Sequence, residues 1–242
     1  MSSFFAFEDS FPYGGGFALF GPGHLVWLLG SLAAAGAAGR LYAGASPLAR
    51  RRGDLAMGVV LLALELAYNA ILFFGGHLYV YMLPLHLCAL SVVLCVLHCF
   101  TGARWLGQYL YYLGMPGALC ALLFPNWNTY PLSNYFCISG FVIHGLLVIR
   151  GWMLLRSGSL RPDLRGLMTS AAFVFAAAVP IYYFNRRFGT NYMFLMTPSA
   201  GSPLTAVQRL FGPERYLLGF FLLFFAVELL LWLPWGLTRR RK

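Results

Sequence analysis

The chain has 242 residues, of which 60% are hydrophobic and only 10% are charged, and its mean hydropathy is +0.72. A soluble domain of this length needs a charged surface, which so few charged residues cannot provide. The formal net charge of +10 would suit a nucleic-acid partner in a soluble protein. Here the basic residues cluster in short connections between apolar stretches, which argues against that class.

Apolar stretches of roughly 18–23 residues recur along the chain, close to the length that crosses a ~30 Å hydrocarbon core. We therefore predict an all-α membrane protein, a polytopic bundle of about seven transmembrane helices in a single domain over residues 1–242. The second helix is predicted to start at an Asp54 cap after an arginine cluster. The predicted helices cover residues 22–40, 54–74, 83–100, 104–124, 134–155, 166–187 and 215–235.

The distribution of lysine and arginine predicts the orientation of the bundle. With the amino terminus outside, thirteen basic residues lie inside and four outside. The inside set is Arg40, Arg50, Arg51, Arg52, Arg104, Arg150, Arg156, Arg161, Arg165, Arg239, Arg240, Arg241 and Lys242. The outside set is Arg186, Arg187, Arg209 and Arg215. Because cytoplasmic loops carry the basic excess, we expect the carboxyl terminus in the cytoplasm. The composition favours a bacterial cytoplasmic (inner) membrane.

The connection 188–214 is unusual in length and is predicted to lie on the outer side. Ser202-Pro203 opens a short helix and Gly212-Pro213 closes it, the residue types expected at these positions. The apolar residues of this helix fall on one face, which predicts a helix lying in the outer interface. A plain packed surface loop is the alternative.

Two residues in the outer half of the bundle form a candidate catalytic pair. Cys88 lies about five residues from the outer end of the third helix, roughly 8 Å deep, and His144 about ten residues into the fifth, roughly 15 Å deep. A thiol beside an imidazole is an activated nucleophile, since the thiolate attacks and the histidine takes the proton. The alternatives are an apolar filler for Cys88 and an interhelical hydrogen bond for His144.

Other polar residues at membrane depth also invite functional hypotheses, because ionisable groups in hydrocarbon cost a few kcal/mol or more. Glu65 lies in the second helix with Asn69 one turn away on the same face, and Glu228 lies in the seventh. An interhelical hydrogen bond explains either carboxyl equally well.

The histidines lack metal-ligand spacing such as HExxH, so we predict no metal and no cofactor. The five cysteines fall in apolar segments, so we predict no disulfide.

Several local strings are distinctive when they are read together. They are Leu83-Pro84-Leu85-His86-Leu87-Cys88, Gly117-Ala118-Leu119, His144-Gly145-Leu146, and Asn185 followed by Gly189-Thr190-Asn191-Tyr192-Met193-Phe194-Leu195-Met196. Over nearly the whole chain these strings resemble the bacterial YwaF-type integral membrane proteins, which are similar to animal transmembrane protein 164. The resemblance implies a multi-helix membrane fold. From the animal branch it also implies a cysteine-dependent acyltransferase that remodels phospholipids.

By motif, the cysteine of that activity corresponds to Cys88 and the histidine to His144. The implied reaction moves an acyl chain from a phospholipid to a lysophospholipid through a thioester on Cys88, with His144 as acid and base. We expect Glu65 or Asn69 to orient His144, in the manner of a third triad member.

The remaining site residues are expected to bind substrate or to stabilise charge. Asn185 and Asn191 are candidates for donors to the developing oxyanion. His24, His86 and Tyr192 are candidates for substrate binding.

Three rival functions stay open at this stage. A more distant kinship, to membrane hydrolases of fatty-acid esters that carry a threonine where Cys88 stands, implies ester hydrolysis instead of transfer. An ion-coupled carrier would use Glu65, His144 and Glu228 as a proton relay. A sensor or scaffold would use none of these groups. No repeat of helix pairs is visible, which disfavours a carrier.

Overall fold

A computed structural model describes residues 3–11 and 15–239 of the chain. Regular secondary structure in these residues is helical throughout. The α-helices are α1 (Pro22–Gly44), α2 (Pro47–Phe74), α3 (Leu87–Thr101), α4 (Arg104–Tyr109), α5 (Met115–Leu123), α6 (Tyr135–Arg156), α7 (Leu164–Phe188), α8 (Pro203–Phe211) and α9 (Tyr216–Arg239). The basic tail residues Arg240, Arg241 and Lys242 lie outside the described residues.

Five described helices, α1, α2, α6, α7 and α9, are long and apolar enough to cross a membrane by length and composition. This confirms the predicted all-helical, membrane-spanning class. The apolar helix α3 has 15 residues and therefore rises only about 22 Å, less than a ~30 Å hydrocarbon core. The predicted helix 104–124 is divided, because a π-helical turn, Leu110–Gly114, joins α4 to α5.

The prediction that the second helix starts at an Asp54 cap is wrong. Helix α2 begins at Pro47, and the Ser46 hydroxyl caps it by accepting from the Ala49 N–H at 3.3 Å. The Ser-Pro pair is the start signal, since proline fits the first helical position where its missing N–H has no partner. The arginine cluster is therefore helical, and Arg51 donates to the last carbonyls of α3.

The third helix begins four residues later than predicted. Pro84 keeps the preceding residue out of the helical region, so residues 83–86 form a turn in which the Leu85 N–H donates to the Leu83 carbonyl at 2.8 Å. His86 has an extended backbone and occupies the N-cap position before α3. Consequently His86 lies outside the helix, while Cys88 is its second residue.

Helix α6 occupies the centre of the bundle and packs against α1, α2, α3 and α5. Glycines permit the close approach of α1 and α6, as Gly145 faces Ser31 and Gly39 faces the Trp152 ring. A side chain on Gly39 would start 2.5 Å from that ring. Small residues at helix contacts are the usual means of close packing in membranes.

A buried ion pair links four helices near one end of the bundle. The Arg150 side chain of α6 is 1% exposed and donates to the Asp54 carboxylate of α2. Arg150 also donates from Nη2 to His98 Nδ1 in α3 at 3.0 Å, and the Tyr42 hydroxyl of α1 donates to Asp54 at 3.1 Å. Arg150 is thus a buried interior residue of α6, and its charge is engaged within the bundle instead of facing a loop or the lipid headgroups.

Removal of one partner of this buried pair is expected to destabilise the protein strongly. We predict that Arg150→Met lowers the free energy of unfolding by about 3 kcal/mol, because the Asp54 carboxylate is left buried and unpaired. Combining it with Asp54→Asn should cost less than the sum of the two single changes. Denaturant unfolding in detergent micelles measures these differences.

The matched control is Arg104→Met, because Arg104 also pairs with a carboxylate, that of Asp163, at 2.7 Å, but its side chain is 71% exposed. An exposed pair contributes about 1 kcal/mol or less. Equal losses in the two arginine variants would contradict the bracing role of Arg150.

Candidate functional site

Cys88 lies in the first turn of α3, where this helix packs against α4 and α5. Its thiol interacts electrostatically with the Cys120 thiol of α5 and with the Tyr109 hydroxyl of α4. One turn further along α3, the Ser91 hydroxyl is hydrogen-bonded to the Tyr109 hydroxyl at 2.9 Å. The nucleophile candidate is thus held between three helices, and its sulfur is a free thiol.

The start of α3 leaves backbone donors without partners. His86 provides no side-chain cap, and the first helical hydrogen bond runs from the Leu90 N–H to the His86 carbonyl at 3.2 Å. Among the described residues, nothing accepts from the N–H groups of Leu87, Cys88 and Ala89. Unpaired N–H groups at a helix start attract a negatively charged or carbonyl oxygen.

His144 has a defined tautomer in α6. Its Nδ1 lies 2.7 Å from the Gly140 carbonyl oxygen of the preceding turn. Since a carbonyl only accepts, Nδ1 carries the proton of the neutral ring, and the lone pair is on Nε2. No described residue donates to Nε2, so this nitrogen is available as a base.

The His144 ring is fixed from one side by an aromatic residue of the α5–α6 connection. The Trp127 indole stacks on the imidazole with a centroid separation of 4.8 Å and an interplanar angle of 26°. Gly140 permits this position, because a side chain there would start 2.9 Å from the indole. The indole N–H is buried and has no acceptor among the described residues.

His86 has the opposite tautomer to His144. Its Nδ1 accepts from the Met193 backbone N–H at 3.3 Å, so the proton of the neutral ring is on Nε2. The ring packs against Tyr192 and Phe194, with centroids at 5.0 and 5.3 Å. The His86 and His144 imidazoles also interact electrostatically. In the neutral state, the His86 ring therefore carries a donor at Nε2, whereas the His144 ring carries an acceptor at Nε2.

Cys88 and His144 come to similar depth but do not contact each other directly. Helices α5 and α6 run in opposite directions, with Met115 facing Gly151. Cys120, the neighbour of Cys88, is five residues past Met115, and His144 is seven residues before Gly151. Their depths differ by about two residues, or ~3 Å. Within the described chain no hydrogen bond or electrostatic interaction joins Cys88 to His144, and His86 interacts with His144 in its place.

Glu65 and Asn69 are paired with each other. The Asn69 side-chain amide donates to the Glu65 carboxylate at 3.1 Å and to the Glu65 carbonyl at 2.8 Å. Neither residue is hydrogen-bonded to His144 in the part of the chain that is described. The Gly140 carbonyl holds His144 where a third triad member was expected, because a backbone acceptor one turn away is already within reach.

The two asparagines predicted to stabilise an oxyanion hold the 188–214 loop. The Asn185 amide donates to the Tyr192 carbonyl at 2.9 Å, and its oxygen accepts from the Tyr192 N–H at 2.9 Å and the Thr190 hydroxyl at 2.7 Å. Asn191 makes four hydrogen bonds to the following turn. Its amide donates to the Thr197 carbonyl and hydroxyl at 2.9 Å, and its oxygen accepts from the backbone N–H groups of Met196 at 3.0 Å and Thr197 at 3.2 Å. These bonds stabilise a strained turn in which Met193 and Phe194 are left-handed, with φ of 56° and 55°.

Two predicted substrate-binding residues are also engaged in the fold. His24 is fully buried, accepts from the Phe20 N–H at 2.8 Å, and donates to the Leu122 carbonyl at 2.8 Å. The Tyr192 hydroxyl donates to the Val80 carbonyl at 2.7 Å. Both ring nitrogens of His24 are thus occupied, whereas His86 retains a free donor.

The structure adds residues that the sequence did not single out. Trp127 and Gly140 define the position of His144, and Met193 defines the tautomer of His86. The only sequence signal was the spacing of Gly140 from His144 by one helical turn.

Glu228 is 1% exposed, and neither carboxylate oxygen has a partner among the described residues. No group of three metal-ligating side chains is found in these residues.

Gly140 offers a direct test of the Trp127–His144 contact. We predict that Gly140→Ala displaces the indole and lowers stability by about 1–3 kcal/mol, as overpacking does. Thermal unfolding and tryptophan fluorescence, each compared with Trp127→Phe, measure both effects.

Gly30→Ala is the control, since a side chain at Gly30 of α1 meets no atom within 4 Å. An unchanged indole signal in Gly140→Ala would contradict the packing described. Equal stability of the Gly140→Ala and Gly30→Ala variants would also contradict the packing described.

Comparison with known proteins supports one assignment. No curated protein and no solved structure matches the chain significantly. The TMEM164 family matches residues 19–235, which include α1 to α8 and most of α9. With this match and five helices suited to span a bilayer, the chain is an integral membrane protein that belongs to the TMEM164 family.

Proposed function

We propose that the protein is a membrane lipid acyltransferase that exchanges phospholipid acyl chains through Cys88 and His144. The observation that carries this proposal is the free Nε2 lone pair of His144, fixed by the bond from Nδ1 to the Gly140 carbonyl. A histidine that is held in one tautomer, with a free lone pair within a membrane-spanning segment, is suited to act as a general base. Membership of the TMEM164 family, together with the motif likeness to the acyltransferases of the animal branch, supports the same reaction.

The reaction begins with activation of the thiol. His144 Nε2 takes the Cys88 proton, and the thiolate attacks the acyl carbonyl carbon of a phospholipid. Cys88 lies in the first turn of α3, where the helix dipole and the uncapped N–H groups would stabilise the negative charge that the sulfur gains when His144 takes its proton. A modest movement of either side chain is needed, since catalytic contacts often tighten only when substrate binds.

The second half of the reaction transfers the acyl group. The tetrahedral intermediate collapses to a thioester, and the departing lysophospholipid oxygen takes the proton from His144. A second lysophospholipid hydroxyl then gives its proton to His144 and attacks the thioester, which releases the Cys88 thiolate. Apolar surroundings exclude water and so favour transfer over hydrolysis.

The proposed arrangement in the membrane follows the charge distribution. The chain crosses the bilayer seven times, with α3 and the α4–π–α5 unit as the two crossings beyond the five long helices. The amino terminus lies outside and the carboxyl terminus in the cytoplasm of a bacterial cell, since twelve of the remaining sixteen basic residues, Arg150 excluded, fall on the inner side. The site then faces the outer leaflet, below the 188–214 loop.

One observation favours a second candidate function, an ion-coupled carrier. The Glu228 carboxyl is buried in α9 with both oxygens unpartnered among the described residues. Isolated intramembrane carboxyls occur in proton pathways. We prefer the transferase because it uses several groups with assigned roles, the Cys88 thiol, the Nε2 lone pair of His144 and the uncapped start of α3, whereas the carrier rests on the Glu228 carboxyl alone.

Purified protein in phospholipid vesicles tests the reaction. With a labelled phospholipid donor and a lysophospholipid acceptor, we expect transfer by the wild type and loss of at least about a hundredfold in Cys88→Ser and His144→Gln. Cys120→Ser is the matched control, because it removes the neighbouring thiol and should retain activity.

Each outcome of this assay has a defined meaning. Full transfer by folded Cys88→Ser or His144→Gln would refute the pair. Release of free fatty acid without transfer would make the protein a hydrolase. An inactive wild type across several lipid classes would refute the enzyme and favour the carrier.

The orientation has an independent test in intact cells. In a background with the native cysteines replaced, we expect a membrane-impermeant maleimide to label Ala200→Cys directly and Ser159→Cys only after permeabilisation. Both positions are exposed, in the loop before α8 and in the α6–α7 connection respectively. The reverse pattern would contradict the proposed orientation.

A further inference from the structure

We infer that His86 is the oxyanion donor of this site, and that the strained turn at residues 192–194 exists to keep the proton on His86 Nε2. This inference deepens the proposed acyl transfer and rests on it. It replaces the two asparagines that the sequence suggested for this role, since their amides are already bonded within the loop.

The proton position on His86 follows from its partner. A backbone N–H can only donate, so the Met193 N–H requires a lone pair on His86 Nδ1. The neutral ring then carries its hydrogen on Nε2, and no described residue accepts it. His86 is half-buried, and its Nε2–H can donate to a ligand that provides an acceptor.

A chain of contacts fixes this partner in place. Asn185 at the end of α7 bonds both the N–H and the carbonyl of Tyr192. This positions Met193, whose left-handed backbone turns its N–H toward His86. Phe194 then packs on the imidazole from the same turn. Two consecutive non-glycine residues in the left-handed region indicate a geometry that the surrounding contacts impose.

The surroundings of His86 suit an acyl carbonyl oxygen. His86 directly precedes α3, two residues before Cys88, and interacts electrostatically with His144. The uncapped N–H groups of the first α3 turn directly follow His86 in the chain and lie at the same helix start. A nucleophile and hydrogen-bond donors therefore meet at the start of α3, and the His144 base is on the adjacent helix α6, the combination that acyl transfer requires.

The step in which His86 acts is the attack on the ester. As the carbon–sulfur bond forms, the carbonyl π electrons move to oxygen, and His86 Nε2–H donates a hydrogen bond to that oxyanion without giving up its proton. The carbonyl re-forms as the carbon–oxygen bond of the ester breaks, and the departing oxygen takes the proton that His144 removed from Cys88. The donor function of His86 and the proton transfer of His144 are therefore separate.

Two conservative variants distinguish a donor from a structural residue. His86→Asn places a carbonyl oxygen near the position of Nδ1, which still accepts from Met193, but it lacks a group at Nε2. His86→Gln places an N–H donor near Nε2 and loses the Nδ1 acceptor. We expect His86→Asn to lower the rate of thioester formation by about 10²–10³-fold and His86→Gln to retain activity within about tenfold.

Single-turnover formation of the thioester is the readout, with a melting temperature for each variant to exclude unfolding. His77→Asn is the control, because its ring stacks on Phe7 and lies outside the proposed site. His86→Asn that is folded and as active as wild type would overturn the inference, and so would equal losses in the asparagine and glutamine variants.

Nitrogen-15 NMR of histidine-labelled protein tests the tautomers without any catalysis. We expect opposite neutral tautomers, with the proton on Nε2 in His86 and on Nδ1 in His144, each assigned by loss of its signal in the matching variant. The same tautomer in both rings would overturn the inference.

If the tautomers are opposite but the wild type transfers no acyl group, the proposed function fails and the oxyanion role fails with it. If the wild type transfers the acyl group and His86→Asn is equally active, the proposed function stands and the role of His86 as oxyanion donor fails.

Discussion

The interior of a membrane-spanning bundle contains little water, so its polar groups must find partners within the protein or take up a ligand. This constraint organises most of the polar residues of the chain. Arg150 is neutralised by Asp54, and His24 uses both ring nitrogens between α1 and α5. Glu65 is bonded by Asn69. Each of these partnerships connects or stiffens helices and so serves the fold.

Against this background, the groups that lack a partner are informative. Among the described residues they include the lone pair on His144 Nε2, the N–H on His86 Nε2, and the first N–H groups of α3. The His86 N–H and the first N–H groups of α3 lie at the same helix start as Cys88, and His144 is on α6, which packs against α3. The Glu228 carboxyl is a separate unpartnered group in α9. Buried polar atoms also lack partners among the described residues at Gln108, Trp127, Tyr135, Arg150 and Ser170. The groups near the start of α3 differ from these because they combine hydrogen-bond donors with a thiol, and the His144 base is on the adjacent helix α6, in line with the proposed lipid chemistry.

The 188–214 loop connects the fold to this site. Its turn carries two left-handed residues, Met193 and Phe194, and Asn185 at the end of α7 maintains their geometry. The same turn contacts His86 through Met193 and Phe194, and Tyr216 at the start of α9 donates to the Phe194 carbonyl at 2.8 Å. The loop is therefore a structural part of the site, and the distinctive string of the sequence has a physical role in positioning a ring.

The amino-acid sequence by itself determined the helical membrane class and the family, because hydrophobic length and local strings are properties of contiguous residues. It also located Cys88 and His144. Only the tertiary structure decided that Arg150 is buried and that Gly140 and Trp127 hold His144. These facts depend on contacts between residues far apart in the chain, or on backbone geometry, and no local pattern encodes them. The proton positions on the two histidines were likewise set by their folded neighbours.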